Sequence, residues 1–382
     1  MVTTLQISPP IKASVKLTYI NALRGWAILG VLLVHNGMYG TDLSHFAQVL
    51  VTFVDQGSRG VQLFFVASAF TLFLSMSRRK EEKHPTRNFF LRRFFRIAPM
   101  YWLGIAFFSY WHLATGTQPV SIANVLANVT FLHGLNPYWI NSLVPGGWSI
   151  TVEMGFYCLA PFLFARLKTV DQAVRFIAWG IVANWALTLV LTPLHPISEY
   201  WIWVSYLFLY FPSQLPIFGF GILLYLVLAR SNESKTLRPS TWFLVAGTAL
   251  LVLMAWLPVG GETMTGVARG GLHYWFGAAF FVLALALSKH APRLLVNPII
   301  NYIGEISFSL YLVHFAVLFA LNHTGHIDLL PASRMATALL DFTLRYLVLL
   351  GVSISLSTIF YRVIEVPFQQ IGKRLIAYLE EY

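Results

Sequence analysis

RGWAILGVLLVH, residues 24–35, sets an arginine and a histidine at the two ends of ten residues that cannot ionise. With the apolar residues that flank it, the stretch approaches the length of a membrane-crossing helix, which needs about 20 mostly apolar residues at 1.5 Å each. Eleven residues of α-helix advance about 16 Å and turn about 1100°, leaving an offset of roughly 20°. Arg24 and His35 therefore share one helix face, the arginine near a membrane edge and the histidine past the midplane. Ionisable groups at that depth are costly and face a bundle interior or a water-filled cavity. A neutral imidazole there keeps a free acceptor nitrogen, as a general base requires. The plainer alternatives are an interhelical hydrogen bond for His35 and snorkelling to the headgroups for Arg24.

The rest of the chain has the same character. Of 382 residues, 57% are hydrophobic and 11% charged, against about 25% charged in a soluble domain, and the mean hydropathy is +0.67. The expected fold is an all-α, polytopic transmembrane bundle forming a single domain over residues 1–382. Ten spans are expected, near 20–40, 60–77, 97–114, 148–166, 176–193, 206–229, 241–258, 272–288, 302–321 and 343–364. Short cytoplasmic tails are expected at about 1–18 and 366–382. The first sixteen residues are too polar for a signal peptide, so the first apolar segment is expected to be retained as a span.

A formal charge of +11 in a soluble chain would point to nucleic acid. In a membrane chain it reflects Lys and Arg gathered in cytoplasmic loops, so no nucleic-acid partner is expected. With a cytoplasmic amino terminus, all Lys and Arg except Arg59, Arg269, Arg334 and Arg345 fall on the inner side, which places both termini inside. The single cysteine, Cys158, excludes a disulfide framework and a thiolate metal cluster. No metal site is expected, and the oligomeric state stays open.

Further polar residues occur at depth. In GGWSITVEMGFY (146–157), Ser149, Glu153 and Tyr157 follow i, i+4, i+8 spacing and line one stripe. Glu153 at a depth matching His35 would orient the imidazole and raise its basicity, the role of the acid in a catalytic triad; alternatively it is protonated and structural. In SFSLYLVH (307–314), Ser307, Tyr311 and His314 share a face, placed to contact a substrate or to hold helices together. In YRVIEVPF (361–368), Arg362 and Glu365 at i, i+3 are expected to form an interfacial ion pair.

The stretch 78–96 carries eight Lys or Arg against two Glu. Such runs commonly anchor lipid headgroups. Arg92, Arg93 and Arg96 are interleaved with Phe94, Phe95, Tyr101 and Trp102, which also suits a phosphorylated, adenine-bearing ligand held by bidentate contacts and stacking.

Taken in order, these motifs resemble the acyltransferase 3 family of integral-membrane acyltransferases. RGWAILGVLLVH is similar to its Arg/Lys, ten residues, His signature, and VQLFFVASAFTLF to its second-span motif. RRFFRIAP holds its Arg-x-x-Arg, GGWSITVEMGFY its Trp-Ser-x-x-x-Glu segment, and ISFSLYLVH and YRVIEVPF its late motifs. The chain departs from the family at Ala69, where a glycine is usual, and at Gln62, where an aspartate is common.

The resemblance implies a bundle of about ten helices that moves an acyl group, usually acetyl, from cytoplasmic acyl-CoA to a hydroxyl. That hydroxyl commonly belongs to a sugar of a surface polysaccharide or lipid-linked glycan. It implies His35 as the essential histidine, Arg24 as its signature partner, Arg93 and Arg96 at the CoA phosphates, and Glu153 as the conserved-motif carboxylate. Acyl-CoA would be a co-substrate rather than a bound cofactor, and a bacterial inner membrane the expected location. A succinyl donor and other acceptors, such as lipopolysaccharide or a macrolide, fit equally. A proton-coupled glycan or lipid transporter, with His35, Glu153 and His314 as a relay, is the rival reading, but no inverted repeat or paired broken helices accompany it. A structural membrane partner for another enzyme is a third.

Overall fold

The computed structural model describes residues 17–38, 48–231, 247, 266–325, 328–330 and 334–381. Every regular element among them is helical: α1 Thr18–Met38, α2 Gln48–Asp55, α3 Gly60–Arg78, α4 Pro85–Thr115, α5 Ile122–Val129, α6 Gly147–Arg166 and α7 Val170–Leu194, then α8 Tyr200–Leu209, α9 Phe211–Ser231, α10 Gly266–Lys289, α11 Pro298–Glu305, α12 Ser307–His323, α13 Met335–Phe360 and α14 Val366–Glu381. The expected span at 241–258 lies outside the described residues. Among the described residues, five helical stretches are long and apolar enough to cross a membrane, or six if the bent pair α11–α12 counts as one. α1 and α4 are long enough but fall outside that set, because Asn21, Arg24 and His35 in one, and the arginines in the other, dilute their apolar character.

α1 runs through the middle of the bundle against α3, α11, α12 and α13, with Ile20, Leu23, Ile28 and Leu32 almost fully buried. Small residues let its neighbours approach. A Cβ at Gly304 would collide with the Asn21 carbonyl oxygen of α1, and one at Gly57 with the Gly30 carbonyl, so at these two crossings backbone lies directly on backbone.

Two expectations from the sequence change. The span expected at 302–321 is broken: α11 and α12 meet at 76°. The break leaves the first N–H groups of α12 without intrahelical acceptors. Buried Glu365 supplies one, accepting from the Ser309 N–H at 3.0 Å and from the Ser309 hydroxyl. This occupies the carboxylate expected to pair with Arg362. Residues 361–365 form a π-helical turn, whose wider winding takes i and i+3 off a common face, so Arg362 points outward while Glu365 is buried.

Residues 366–381, within the expected carboxy-terminal tail, form helix α14, packed along α4 with Gly372 against Phe95. Glu380 accepts from the backbone N–H groups of Lys83 and His84, both at 3.1 Å, and from Asn88 Nδ2 at 2.8 Å. A carboxylate at the positive end of α4 is favourable on both hydrogen-bonding and dipole grounds. Glu380→Gln is expected to loosen α14, read as several-fold faster amide exchange over 366–381 with the rest of the chain unchanged. Equal exchange in both proteins would show that the carboxylate does not hold the helix.

The stretch 115–147, between two of the expected spans, contains α5 and a short 3-10 turn at His133–Leu135. It is tied to the start of α8 by Tyr138, whose hydroxyl donates to Glu199 at 2.5 Å. That hydrogen bond holds the Glu199 carboxyl below its ordinary value.

Candidate active site

Four helices, α1, α3, α6 and α12, enclose two cavities stacked along the bundle. Arg24, Ser68, Glu153, Ser307 and, from α4, Arg96 line the first, of about 60 Å³. His35, Gln62, His112, Asn141 and Trp148 belong to the second, of about 320 Å³. Val61 and Tyr311 line both and form the wall between them. The eleven-residue separation of Arg24 and His35 thus spans two compartments: one face of α1 serves both, one end at each.

The second cavity holds the imidazole. His35 Nδ1 lies 3.0 Å from His314 Nε2, and His314 Nδ1 lies 3.1 Å from the Leu310 carbonyl oxygen. A backbone carbonyl only accepts, so His314 donates from Nδ1 and presents Nε2 as an acceptor. His35 must then carry its proton on Nδ1. Its Nε2 is left as the acceptor lone pair, the form a general base takes. The ring packs on Phe315, with centroids 4.5 Å apart.

Glu153 does not orient His35, as its spacing suggested. α6 contributes Trp148 to the second cavity but Ser149, Ile150 and Glu153 to the first, so the carboxylate lies too far along the helix to reach the imidazole. It accepts instead from the Ser68 hydroxyl at 2.6 Å and the Tyr157 hydroxyl at 2.5 Å. Arg24 and Arg93 lie in its electrostatic range, and Arg96 lines the same cavity. With Arg24 and Arg96 against one carboxylate, the lining of the first cavity is net positive, which favours an anionic ligand.

The arginines differ in what they are free to do. Arg24 Nη2 donates to Thr71 Oγ1 at 3.0 Å. Arg92, expected to contact a phosphate, forms two hydrogen bonds with Glu82, at 2.8 and 3.0 Å, a bidentate pairing that neutralises it. Arg93 sits over the Phe89 ring, 5.9 Å from its centroid, and its Nε is buried with no hydrogen-bond partner. Arg96 lines the cavity itself. The structure therefore separates the basic cluster into a spent arginine and two that face inward.

Tyr311, expected on the Ser307–His314 face, is the dividing residue. Ser149 Oγ lies 3.0 Å from its hydroxyl, which donates to the Gly146 carbonyl at 3.1 Å. Several residues here escaped the sequence reading: Ser68, the partner of Glu153; His112, which bonds Thr117 and the Leu143 carbonyl; and Arg345, buried behind His35. Arg345 reaches the Asn36 side chain at 3.1 Å, the Asn36 carbonyl and Asp328 at 3.0 Å. Ser68 was visible only as part of a motif, and Arg345 only as a cation near an outer helix end.

A family model described as an acyltransferase domain matches residues 17–362. Searches among curated proteins and among solved structures find no match.

Proposed function

The chain belongs to the acyltransferase 3 family, and from that premise we propose that it transfers an acetyl group from cytoplasmic acetyl-CoA to a hydroxyl of a surface or lipid-linked carbohydrate. The observation that carries this reading is the pair of cavities meeting at one tyrosine, one cationic and one holding a histidine with a free acceptor nitrogen. The cationic cavity suits the donor phosphates, held by Arg93 and Arg96. The thin pantetheine arm would pass Arg24 and Glu153 and bring the thioester to the wall at Tyr311.

The second cavity suits the acceptor. Its aromatic faces, among them Trp148 and Phe315, alternate with the polar side chains of Gln118, Asn141 and Ser142, the mixed lining that oriented polyhydroxyl ligands require. His35 Nε2 takes the proton from the acceptor hydroxyl as its oxygen attacks the thioester carbonyl. The C–S bond breaks, and the departing thiolate recovers that proton from the imidazolium. His314, itself fixed by the Leu310 carbonyl, stabilises the charged ring by holding its Nδ1–H. A bacterial inner membrane, with the cationic cavity towards the cytoplasm, is the corresponding location.

Purified protein incubated with radiolabelled acetyl-CoA is expected to release CoA and to label a sugar acceptor. Arg96→Ala is expected to raise the KM for acetyl-CoA about tenfold, the loss of one charge-assisted contact. It should raise the KM for 3′-dephospho-CoA thioester less if the lost contact is to that phosphate. An unchanged KM would remove the donor from this cavity, and failure of the wild-type chain to release CoA would overturn the reaction.

A further inference from the structure

A second carbonyl-anchored relay ends in the cavity that holds His35. Gln62, on α3, lines that cavity and is 2% exposed. Its Nε2 donates to Gln214 Oε1 at 3.4 Å, and Gln214 Nε2 donates to the Phe208 carbonyl at 2.7 Å. The Phe208 carbonyl can only accept, so it fixes which way the Gln214 amide faces. Gln214 therefore turns its oxygen to Gln62, and Gln62 must answer with its NH2. Its own Oε1 is left buried with no hydrogen-bond partner.

Native proteins seldom leave a buried carbonyl unpaired, and such an atom calls for an explanation such as an absent ligand. Resting on the reading of this cavity as the acceptor site, we propose that Gln62 selects the acceptor by accepting a hydrogen bond from a substrate hydroxyl beside the one acylated. The relay fixes the polarity of the contact: this position takes a hydrogen and has none to give. It is also uncharged, where the resemblance leads one to expect an aspartate. An amide keeps the accepting oxygen without a carboxylate charge beside Arg59, which lines the same cavity, so the contact draws no cationic ligand and suits a polyol. A site built to bond a hydroxyl discriminates strongly against an analogue lacking it, because its own buried group is then left bare.

The test uses the full chain in detergent, acetyl-CoA and a panel of methyl glycosides with their monodeoxy analogues. Gln62→Met is expected to raise the KM for the best glycoside about tenfold, a typical cost for one such contact, and to leave the KM for acetyl-CoA where it was. One monodeoxy analogue should lose the same factor with the wild-type chain and nothing further with the variant. If Gln62→Met does not fold, Gln214→Leu, which frees the Gln62 amide to turn, should give a smaller rise of the same kind. The proposal is overturned if the glycoside KM is unmoved, or if every deoxy analogue loses as much in the variant as in the wild type. If the wild type releases no CoA, the acyl-transfer reading fails by itself. Saturation-transfer NMR of the glycosides against both proteins then decides the role of Gln62, and equal binding by both, or none by either, overturns it.

Discussion

On the proposed function, His35→Ala is expected to lower acyl transfer by roughly 1,000-fold, the midpoint of what a positioned general base contributes, while the protein still purifies as a folded species. The size follows from the geometry: no other side chain that lines the second cavity carries an acceptor nitrogen whose protonation state is set by a chain of hydrogen bonds ending at a backbone carbonyl. His112 lines the same cavity, but both of its ring nitrogens are already engaged, at Thr117 and the Leu143 carbonyl. His314→Gln should cost less, since a glutamine can still accept from His35 Nδ1–H, and should move the pH profile more than the KM for either substrate. The experiment measures CoA release and acceptor labelling together, with thermal unfolding as the folding control. Undiminished transfer by His35→Ala would remove the imidazole from the chemistry.

Arg345→Met is expected to destabilise the folded protein by about 3 kcal/mol, the scale of removing one partner of a buried charged network. Arg345 is 1% exposed and holds three oxygens, two of them on Asn36, which is itself fully buried. Asp328 is half exposed and contributes the smaller part, because water screens it. Methionine fills the volume but leaves the last carbonyl of this α1 turn and the Asn36 amide oxygen without donors. Asn36 follows His35 directly in the chain, so slackening there also lowers kcat. Melting in detergent reads the first effect and turnover the second. Arg345→Lys, which retains one donor, should recover part of both, and an unshifted melting temperature for Arg345→Met would show that the network carries no net stability.

The helical character of the chain and the angular placement of its polar residues were legible in the sequence. The offset between Arg24 and His35 on one helix, and the common face of Ser307, Tyr311 and His314, depend only on winding within a single helix, which the residue count supplies. Pairing across helices depends on how far each has slid past its neighbour, and no spacing rule carries that. For this reason Glu153 was matched to His35 when its partners are Ser68 and Tyr157, and His35 and His314 were joined only in the rival relay reading, with Glu153 among them, when the two rings meet directly. The Arg362–Glu365 pair failed differently: one π turn changed the phase on which i, i+3 proximity rests. The bend at Ile306 carries neither proline nor glycine at the break itself, and the exposed helix end is satisfied at Ser309 by Glu365, 56 residues further along the chain.

Both chambers finish at the Tyr311 ring with Val61 beside it, and this bears on leakage as well as on chemistry. An open bore between charged groups in both chambers, Arg24 and Arg96 in one and Arg59 in the other, would offer protons and small ions a continuous path between turnovers. The Tyr311 hydroxyl, bonded to Ser149 and to the Gly146 carbonyl, stands across that path. On the acyl transfer proposed above, the ring need shift only far enough for the acyl carbon to meet the acceptor hydroxyl.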